Sequence, residues 1–506
     1  MSSSPSHMFD LRIRFHTIAM LLLALTWGSS TLAAQESKEF QGRLKTLDAL
    51  LETQRLKLKI PGFAVAIVKD DKVVFAKGYG QRDIAGDKPV DTKTIFAIGS
   101  TTKAFTSTLV GMMVDQGEMK WDDPVTKFLP NYKMQTEPAD ATVLIRDLLC
   151  HRTGFRRMGL LWAGGQIPLD EVITRGGSAE STVKFRSKFM YNNVTYMTAG
   201  VCAASLTKGD WDAMVTERIL KPLGMKDTTT SIAEAKKNKQ LSLGYKWDEE
   251  KEEFVHQPMR DLYSVRPSGS INSNVDDMVQ WLRLQLGKGK FGDKRLISEK
   301  SLGETWKKQM AMGGGAHYGL GWMLRKWEKK DVVEHGGNID GFAAEVAFLP
   351  ELNTGFVLLM NVGRTPLQQS SIELIFDALY GEKKTKNADA PQVDKSKLVG
   401  DYVGNFGPFV DTTFKVTEKD GQLFVDVPGQ TNYELKDPDE KGEWFFAITD
   451  TIVVTFNRDD KGQVLSLTMA QGGMKPEYLR TDVDHKLDST AAELEPLLGK
   501  YSDEKS

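Results

Sequence analysis

Cysteine is scarce in this chain: Cys150 and Cys202 are the 2 thiols among 506 residues. Two thiols cannot build the disulfide framework that staples small exported domains, so the fold must rest on apolar cores. A chain of this length can form two or three such cores. The simplest reading of the cysteines is two separate buried thiols. Histidine is scarce as well, and the 7 residues contain no His-Glu-x-x-His run and no close pair. The sequence therefore offers no metal site, and nothing in it asks for a cofactor. An excess of one charge is missing too, because 66 basic and 68 acidic residues leave a formal net charge of -2. That balance gives no electrostatic reason to expect nucleic acid or an anionic membrane as partner. No apolar run approaches the roughly 20 residues that span a bilayer, so no stable membrane span is expected. With 40% hydrophobic and 26% charged residues, the composition is that of a globular protein.

The first residues form a distinct segment. Arg12 and Arg14 precede the apolar run Ile18 to Trp27, and the small residues Ser29, Ser30, Ala33 and Ala34 follow. A basic stretch, a short apolar stretch and a small-residue cleavage site describe a secretory signal peptide over residues 1–34. The expected location is thus secreted or periplasmic. From Phe40 to Ile60, leucines at 44, 47, 50, 51 and 58 have helical spacing. Two β-rich apolar runs around Asp70-Asp71 read as a hairpin, and a second hairpin spans Phe342 to Asn361. Helical segments lie between them at Thr101 to Gln116, Val194 to Lys208 and Val275 to Leu286. Each is followed by a glycine suited to a C-cap: Gly117, Gly209 and Gly287. This order predicts an α/β (α+β) sheet with a helical subdomain over residues 35–380. Residues 381–396 turn charged and aperiodic and read as a linker. From residue 397 to 506, short alternating runs separated by Lys419-Asp-Gly421 and Asp459-Asp-Lys-Gly462 predict a small all-β barrel with a tail. Leu497-Leu-Gly-Lys-Tyr501 in that tail echoes Leu398-Val-Gly-Asp-Tyr402.

The chemistry starts from a serine and a lysine three residues apart. Such a pair shares one helix face, with Cβ atoms roughly 5–6 Å apart. A desolvated lysine can then take the hydroxyl proton and make the serine a nucleophile. The spacing occurs at Ser100/Lys103, Ser181/Lys184, Ser205/Lys208 and Ser502/Lys505. Only Ser100 follows an apolar run and a glycine and opens a strong helix. There the helix N-terminal field and a backbone N–H favour an oxyanion. Taken alone, Ser100 would pass for a plain N-cap. Two further motifs change that reading. Tyr191-Asn192-Asn193 is the one Tyr-x-Asn among 12 tyrosines; its phenol can relay protons, and its second amide can bind a substrate carbonyl or orient the lysine. His335-Gly336-Gly337 ends a strand and offers a small-residue edge, which makes it preferable to the competing His317-Tyr-Gly319 in its glycine-rich loop.

Ser-x-x-Lys, Tyr-x-Asn and His-x-Gly in this order resemble the serine β-lactamase-like hydrolases. That group includes class C β-lactamases, D-Ala-D-Ala carboxypeptidases, D-aminopeptidases and esterases. The resemblance runs from about Pro61 to Tyr380 and includes Asp147-Leu-Leu-Cys-His151-Arg-Thr-Gly154 and Pro267-Ser-Gly-Ser-Ile-Asn-Ser-Asn-Val-Asp-Asp277. The barrel resembles the lipocalin-like domain appended to some of these enzymes. The resemblance implies Ser100 as acylated nucleophile, Lys103 and Tyr191 as base pair and Asn193 as substrate contact. It places His335, Gly336 and Gly337 along the substrate, with the N–H groups of Ser100 and Asn338 as oxyanion hole. The penicillinase triplet Lys-Thr-Gly is missing, which ranks small peptide-like amides and esters above β-lactams. A carboxylesterase or β-lactamase is the alternative within enzymes, and a penicillin-binding sensor without turnover the alternative outside them. The expected partner is a small molecule or short peptide, and the oligomeric state is left open.

Overall fold

The computed structural model describes residues 38–483 apart from 136–141, 166, 208, 249–250, 252, 382–392, 407–408, 420, 429–431, 440, 448 and 471–474. The expected signal segment, most of the 381–396 linker and the Leu497–Tyr501 echo lie outside the described residues. The chain divides into two compact units, one ending at Glu382 and one starting at Lys383.

The first unit is built on a nine-stranded sheet. Strands β1 (Gly62–Lys69) and β2 (Lys72–Asp83) form the first hairpin. Its turn residues Asp70 and Asp71 both have positive φ, 50° and 62°, the twist-matched geometry of a two-residue hairpin loop. Further strands are β3 (Lys88–Pro89), β4 (Met310–Gly313), β5 (Ala316–Tyr318), β6 (Met323–Trp327), β7 (Lys330–Ile339), β8 (Phe342–Leu349) and β9 (Thr354–Met360). The order across the sheet is β4-β5-β6-β7-β8-β9-β1-β2-β3, antiparallel throughout. The three apolar runs β1, β8 and β9 take the centre, where both faces are covered. The pairing of β1 with β9 (Phe63 opposite Met360) joins the two ends of the unit.

Alternation along β1 sorts its side chains into two cores. Phe63, Val65 and Ile67 pack with Leu44, Leu47 and Leu51 of helix α1 (residues 38–57) and with Ile372 and Phe376 of a C-terminal helix. Ala64, Ala66 and Val68 face the helical subdomain. That subdomain includes α2 (Thr102–Asp115), α3 (Asn193–Ala204) and α4 (Val275–Leu286); the C-terminal helix, α5, is Pro366–Tyr380. Cys150 and Cys202 are buried in this second core and unpaired.

The expected glycines end two of the three helices, one of them in the left-handed conformation. Gly117, with φ of +75°, follows α2 in the left-handed region. Helix α3 stops at Ala204, where Ser205 Oγ and Thr207 Oγ1 bond back to carbonyls of the last turn and end the helix before Gly209. Gly287 is the C-cap of α4 and donates its N–H to Arg283 O, with an ordinary φ of -73°, and the left-handed residues are Lys288 and Gly289 that follow.

The second unit is an eight-stranded antiparallel, nearly closed barrel of the lipocalin-like kind. Its strands are β10 (Gly400–Phe406), β11 (Phe409–Lys419), β12 (Gln422–Asp426), β13 (Asn432–Glu434), β14 (Trp444–Phe446), β15 (Thr449–Arg458), β16 (Val464–Ala470) and β17 (Glu477–Arg480). They run β13-β12-β11-β10-β17-β16-β15-β14. Across the two edge strands Lys436 N–H donates to Phe445 O at 2.8 Å and Ala447 N–H to Glu434 O at 2.6 Å, which leaves little open edge. Alternate residues, among them Tyr402, Phe414, Val416, Leu423, Val425 and Trp444, fill the interior.

Because each unit has its own apolar core, a chain ending at Lys386 should fold alone. Thermal unfolding followed by near-ultraviolet circular dichroism is expected to stay cooperative, and a broad, non-cooperative loss of signal would refute it.

Candidate active site

Gly99, with φ of +52°, turns the chain out of Phe96–Ala97 into a short 3₁₀ turn, Gly99–Thr101, that leads into α2. Ser100 opens this helix, where the leading N–H groups have no intrahelical acceptor. Residues 102–113 of α2 are all buried, so the helix runs through the core and carries Lys103 with it to complete burial. The Lys103 Nζ donates to Asn193 Oδ1 and to the Ser268 carbonyl, each at 2.8 Å, and lies 3.3 Å from Ser100 Oγ. Among the described residues no carboxylate reaches it. Burial pushes its pKa well below the ordinary lysine range, and the positive charge of Arg157 adds to that.

Tyr191 comes from the loop before α3 and donates its hydroxyl to Ser100 Oγ at 2.8 Å. Asn192 holds it there. Its Oδ1 caps α3 by accepting from Val194 and Thr195 N–H, and its Nδ2 donates to the Arg156 carbonyl. The Asn192 N–H donates to Nδ1 of His151, whose ring packs on Tyr191 at 4.4 Å between centroids. Burial raises the Tyr191 phenol above its usual range, while the Ser100 bond and Arg157 pull it down. Asn193 spends its oxygen on Lys103 and keeps an amide nitrogen without a protein partner among the described residues.

Strand β7 closes the other side. Beyond Glu334 it pairs only with β8, leaving the edge of His335–Ile339 facing the Ser100 turn. The tight loop Asp340-Gly341 makes Ile339/Phe342 a hydrogen-bonded pair, so by alternation the Asn338 N–H points away from β8, toward that turn. A Cβ on Gly337 would lie 1.9 Å from the Ile98 carbonyl oxygen and 3.1 Å from Ser100 N. Only glycine allows the strand this close. At Gly336, a Cβ would come within 2.9 Å of Glu345 Oε2. The Asn338 side chain is tied elsewhere, donating to Gln368 Oε1 and accepting from Arg364 N–H. His335 turns inward: its Nδ1 meets the Gly336 carbonyl at 2.7 Å and its Nε2 the Tyr318 hydroxyl at 3.0 Å. Burial and the nearby Lys103 push its pKa down to about 3, so it is neutral at neutral pH.

Ser100, Lys103, Tyr191, Asn193, Gly337 and the Asn338 N–H therefore meet in one place, with His335 buried behind them. Lys184 is exposed and Ser181 is in irregular chain, whereas Ser205 Oγ bonds to Cys202 O. Lys208, Ser502 and Lys505 lie outside the described residues. His317 sits half-buried on β5 against Gly315 O, and its neighbour Tyr318 is the residue that engages His335. Sequence reasoning passed over Asn192 and the Ser268 carbonyl as parts of the site. Both lie inside motifs already noted, but a backbone acceptor has no residue-type signature.

A family model described as Beta-lactamase matches residues 46–380. Unguisins hydrolase ungD of Aspergillus violaceofuscus is 27% identical over 338 residues, covering 61% of this chain and 59% of that protein. Protein flp of Staphylococcus aureus is 27% identical over 328 residues, covering 62% of each. The chain thus spans about three fifths of the length of these relatives. The octameric penicillin-binding protein homologue from Pyrococcus abyssi matches with a TM-score of 0.63 and 23% identity, over 86% of this chain and 99% of that one, a likeness of fold.

The Gly337 contact generates a test. Gly337→Ala must push β7 off the Ser100 turn, so acylation by a small activated ester is expected to fall at least on the order of 10²-fold, the range for losing one oxyanion donor. An unchanged acylation rate, read by intact mass, would refute the close approach.

Proposed function

The chain belongs to the Beta-lactamase family, and on that footing we propose that it is an exported serine hydrolase. In this reading it cleaves amide or ester bonds of small peptide-like substrates through an acyl-enzyme on Ser100. The observation that carries the reading is the convergence on Ser100 Oγ of the Tyr191 hydroxyl at 2.8 Å and the buried Lys103 amine at 3.3 Å.

The protonation states follow from burial. A neutral amine has two N–H donors and one lone pair. The Asn193 and Ser268 oxygens use the donors, and the lone pair is left facing Ser100. Lys103 is then the base that takes the Ser100 proton as Oγ attacks the carbonyl carbon. Tyr191, kept protonated by burial, gives its proton to the leaving group as the scissile bond breaks, and Lys103 restores it. In deacylation the pair takes a proton from water and returns one to Ser100. The oxyanion sits between the N–H groups of Ser100 and Asn338. The free amide nitrogen of Asn193 is placed for a substrate carbonyl. At the β7 position where the penicillinase triplet carries a lysine, neutral His335 supplies no charge, which ranks peptides and esters above β-lactams. Export rests on the signal-like residues 1–34. Among the described residues, no helix is long and apolar enough to cross a membrane, which weighs against a membrane-coupled sensor.

Ser100→Ala should abolish labelling by a fluorophosphonate probe, while Ser181→Ala and Ser205→Ala keep it. Labelling that survives in the Ser100 variant would sink the assignment.

The pH profile tests the base. Lys103 must be unprotonated to work, and burial depresses its pKa, so the rise of kcat/KM with pH should fall well below the ordinary 10.5. His335, held neutral down to about 3, should add no limb near 6.5. Tyr191→Phe is expected to lower kcat on the order of 10²–10⁴-fold. A wild-type rise only near the ordinary lysine pKa would remove Lys103 as base.

A further inference from the structure

The glycine that lets β7 reach the Ser100 turn also removes stiffness from the strand. Glycine explores more backbone conformations than any other residue, so the peptide unit joining Gly337 to Asn338 can turn about the Gly337 bonds. The N–H of that unit is the one aimed beside the N–H of Ser100. Beyond Glu334 the strand pairs on one side only, with β8, so no second ladder steadies this stretch.

A restraint comes from the back of the sheet. Alternation sends residues 334, 336 and 338 to the face opposite His335 and Gly337, toward helix α5. Gln368, in the first turn of α5 and buried, meets the strand there. Its Nε2 donates to the Gly337 carbonyl at 3.1 Å and to the Ala344 carbonyl of β8 at 2.8 Å. Its Oε1 accepts from Asn338 Nδ2 at 2.9 Å. Both amide protons and the amide oxygen are used, which fixes the orientation of the side chain. The helix that carries it is fixed as well: Thr365 caps it, and Leu367, Ile372, Ile375 and Phe376 anchor it in the core. A Cβ on Gly336 would lie 3.0 Å from Gln368 Nε2, so the same contact calls for the first glycine of the pair.

A peptide unit is planar and trans, so its C=O and N–H point in opposite directions. Holding the Gly337 oxygen on the β8 side therefore aims the Asn338 N–H at the Ser100 turn. A donor on the carbonyl also polarises the unit and strengthens its N–H. We propose that Gln368 is a positioning residue of the oxyanion hole, fixing and polarising the Gly337–Asn338 peptide from the far side of β7. Its effect is felt where negative charge develops on the substrate oxygen, in the transition state. The inference rests on the reading of Ser100 as the acylated nucleophile given above.

The test uses the full chain and two variants. Gln368→Met keeps the volume and removes the donors and the acceptor. Gln368→Glu keeps the shape and the acceptor for Asn338 Nδ2, and it decides the matter if the first variant does not fold. In single turnovers with p-nitrophenyl acetate, Gln368→Met should acylate about 10- to 100-fold more slowly, up to the scale of losing one oxyanion donor, with ester binding unchanged. The acyl-enzyme from p-nitrophenyl trimethylacetate, isotope-labelled at its carbonyl, gives a spectroscopic readout. Donors lengthen the carbonyl bond, so its infrared band should move to higher wavenumber in Gln368→Met. In Gln368→Glu the rate relative to wild type should decline as pH rises. The protonated carboxyl still donates one bond, whereas the carboxylate donates none and repels both carbonyl oxygens. Taking the ratio to wild type cancels the Lys103 limb. A folded Gln368→Met protein with the wild-type acylation rate refutes the proposal. So does a slower one whose carbonyl band has not moved, since that marks a loss of packing alone, and so does a pH-independent ratio in Gln368→Glu. In each of these cases the hydrolase reading stands. If the wild-type protein forms no acyl-enzyme on Ser100 by intact mass, the hydrolase reading falls and takes this inference with it.

Discussion

An amine drawn into a protein interior without a carboxylate beside it faces a large desolvation cost for its charge. Lys103 is in that position, and much of the site can be traced to it. Helix α2 is buried along nearly its whole length, so a lysine in its first turn has no route to water. Three oxygens surround the amine: a side-chain amide on α3, a backbone carbonyl at Ser268 and the hydroxyl of Ser100. They satisfy its hydrogen bonds without neutralising a charge. Burial therefore favours loss of the proton from this amine more than from an exposed lysine.

The second constraint is steric. Strand β7 and the Ser100 turn belong to parts of the chain more than 200 residues apart, and their backbones approach to contact. Gly99 supplies the positive φ that turns Ser100 toward the strand, and Gly337 supplies the missing Cβ that would otherwise strike the Ile98 carbonyl. Close approach brings the Asn338 N–H beside that of Ser100, so two glycines do the work of placing two donors. Asn192 plays a matching part on the other wall, capping α3, bracing Tyr191 through His151 and holding the chain at Arg156.

Electrostatically the cleft is lopsided. On and behind β7, Glu334 and Glu345 meet in the core, where burial raises both pKa values and the Glu334 charge raises that of Glu345 further, and Arg325 lies nearby. On the Tyr191 side the exposed guanidinium groups of Arg156 and Arg157 make no ion pair among the described residues. An anionic group entering the cleft would be drawn to that side.

The sequence alone carried the parts of this protein that depend on short spacing. Ser100 and Lys103 share a face because a helix repeats every 3.6 residues. The hairpin at Asp70-Asp71, the second hairpin near Asn353 and the alternating strands of the barrel follow from period-two patterns and turn residues. The order of Ser-x-x-Lys, Tyr-x-Asn and His-x-Gly was enough to recognise the family resemblance. Tertiary structure decided the rest. The partner of β1 is β9, almost 300 residues away, and no local pattern names it. The inward turn of His335 onto Tyr318, the use of the Asn193 oxygen by Lys103 and the acceptor at Ser268 depend on which segments pack together. Nothing in the sequence pairs Gln368 with Gly337, 31 residues back along the chain. Lys103 can be a base or a fixed charge by residue type. Which one it is depends on the surrounding dielectric and on missing counter-charges, and these exist only once the chain has folded.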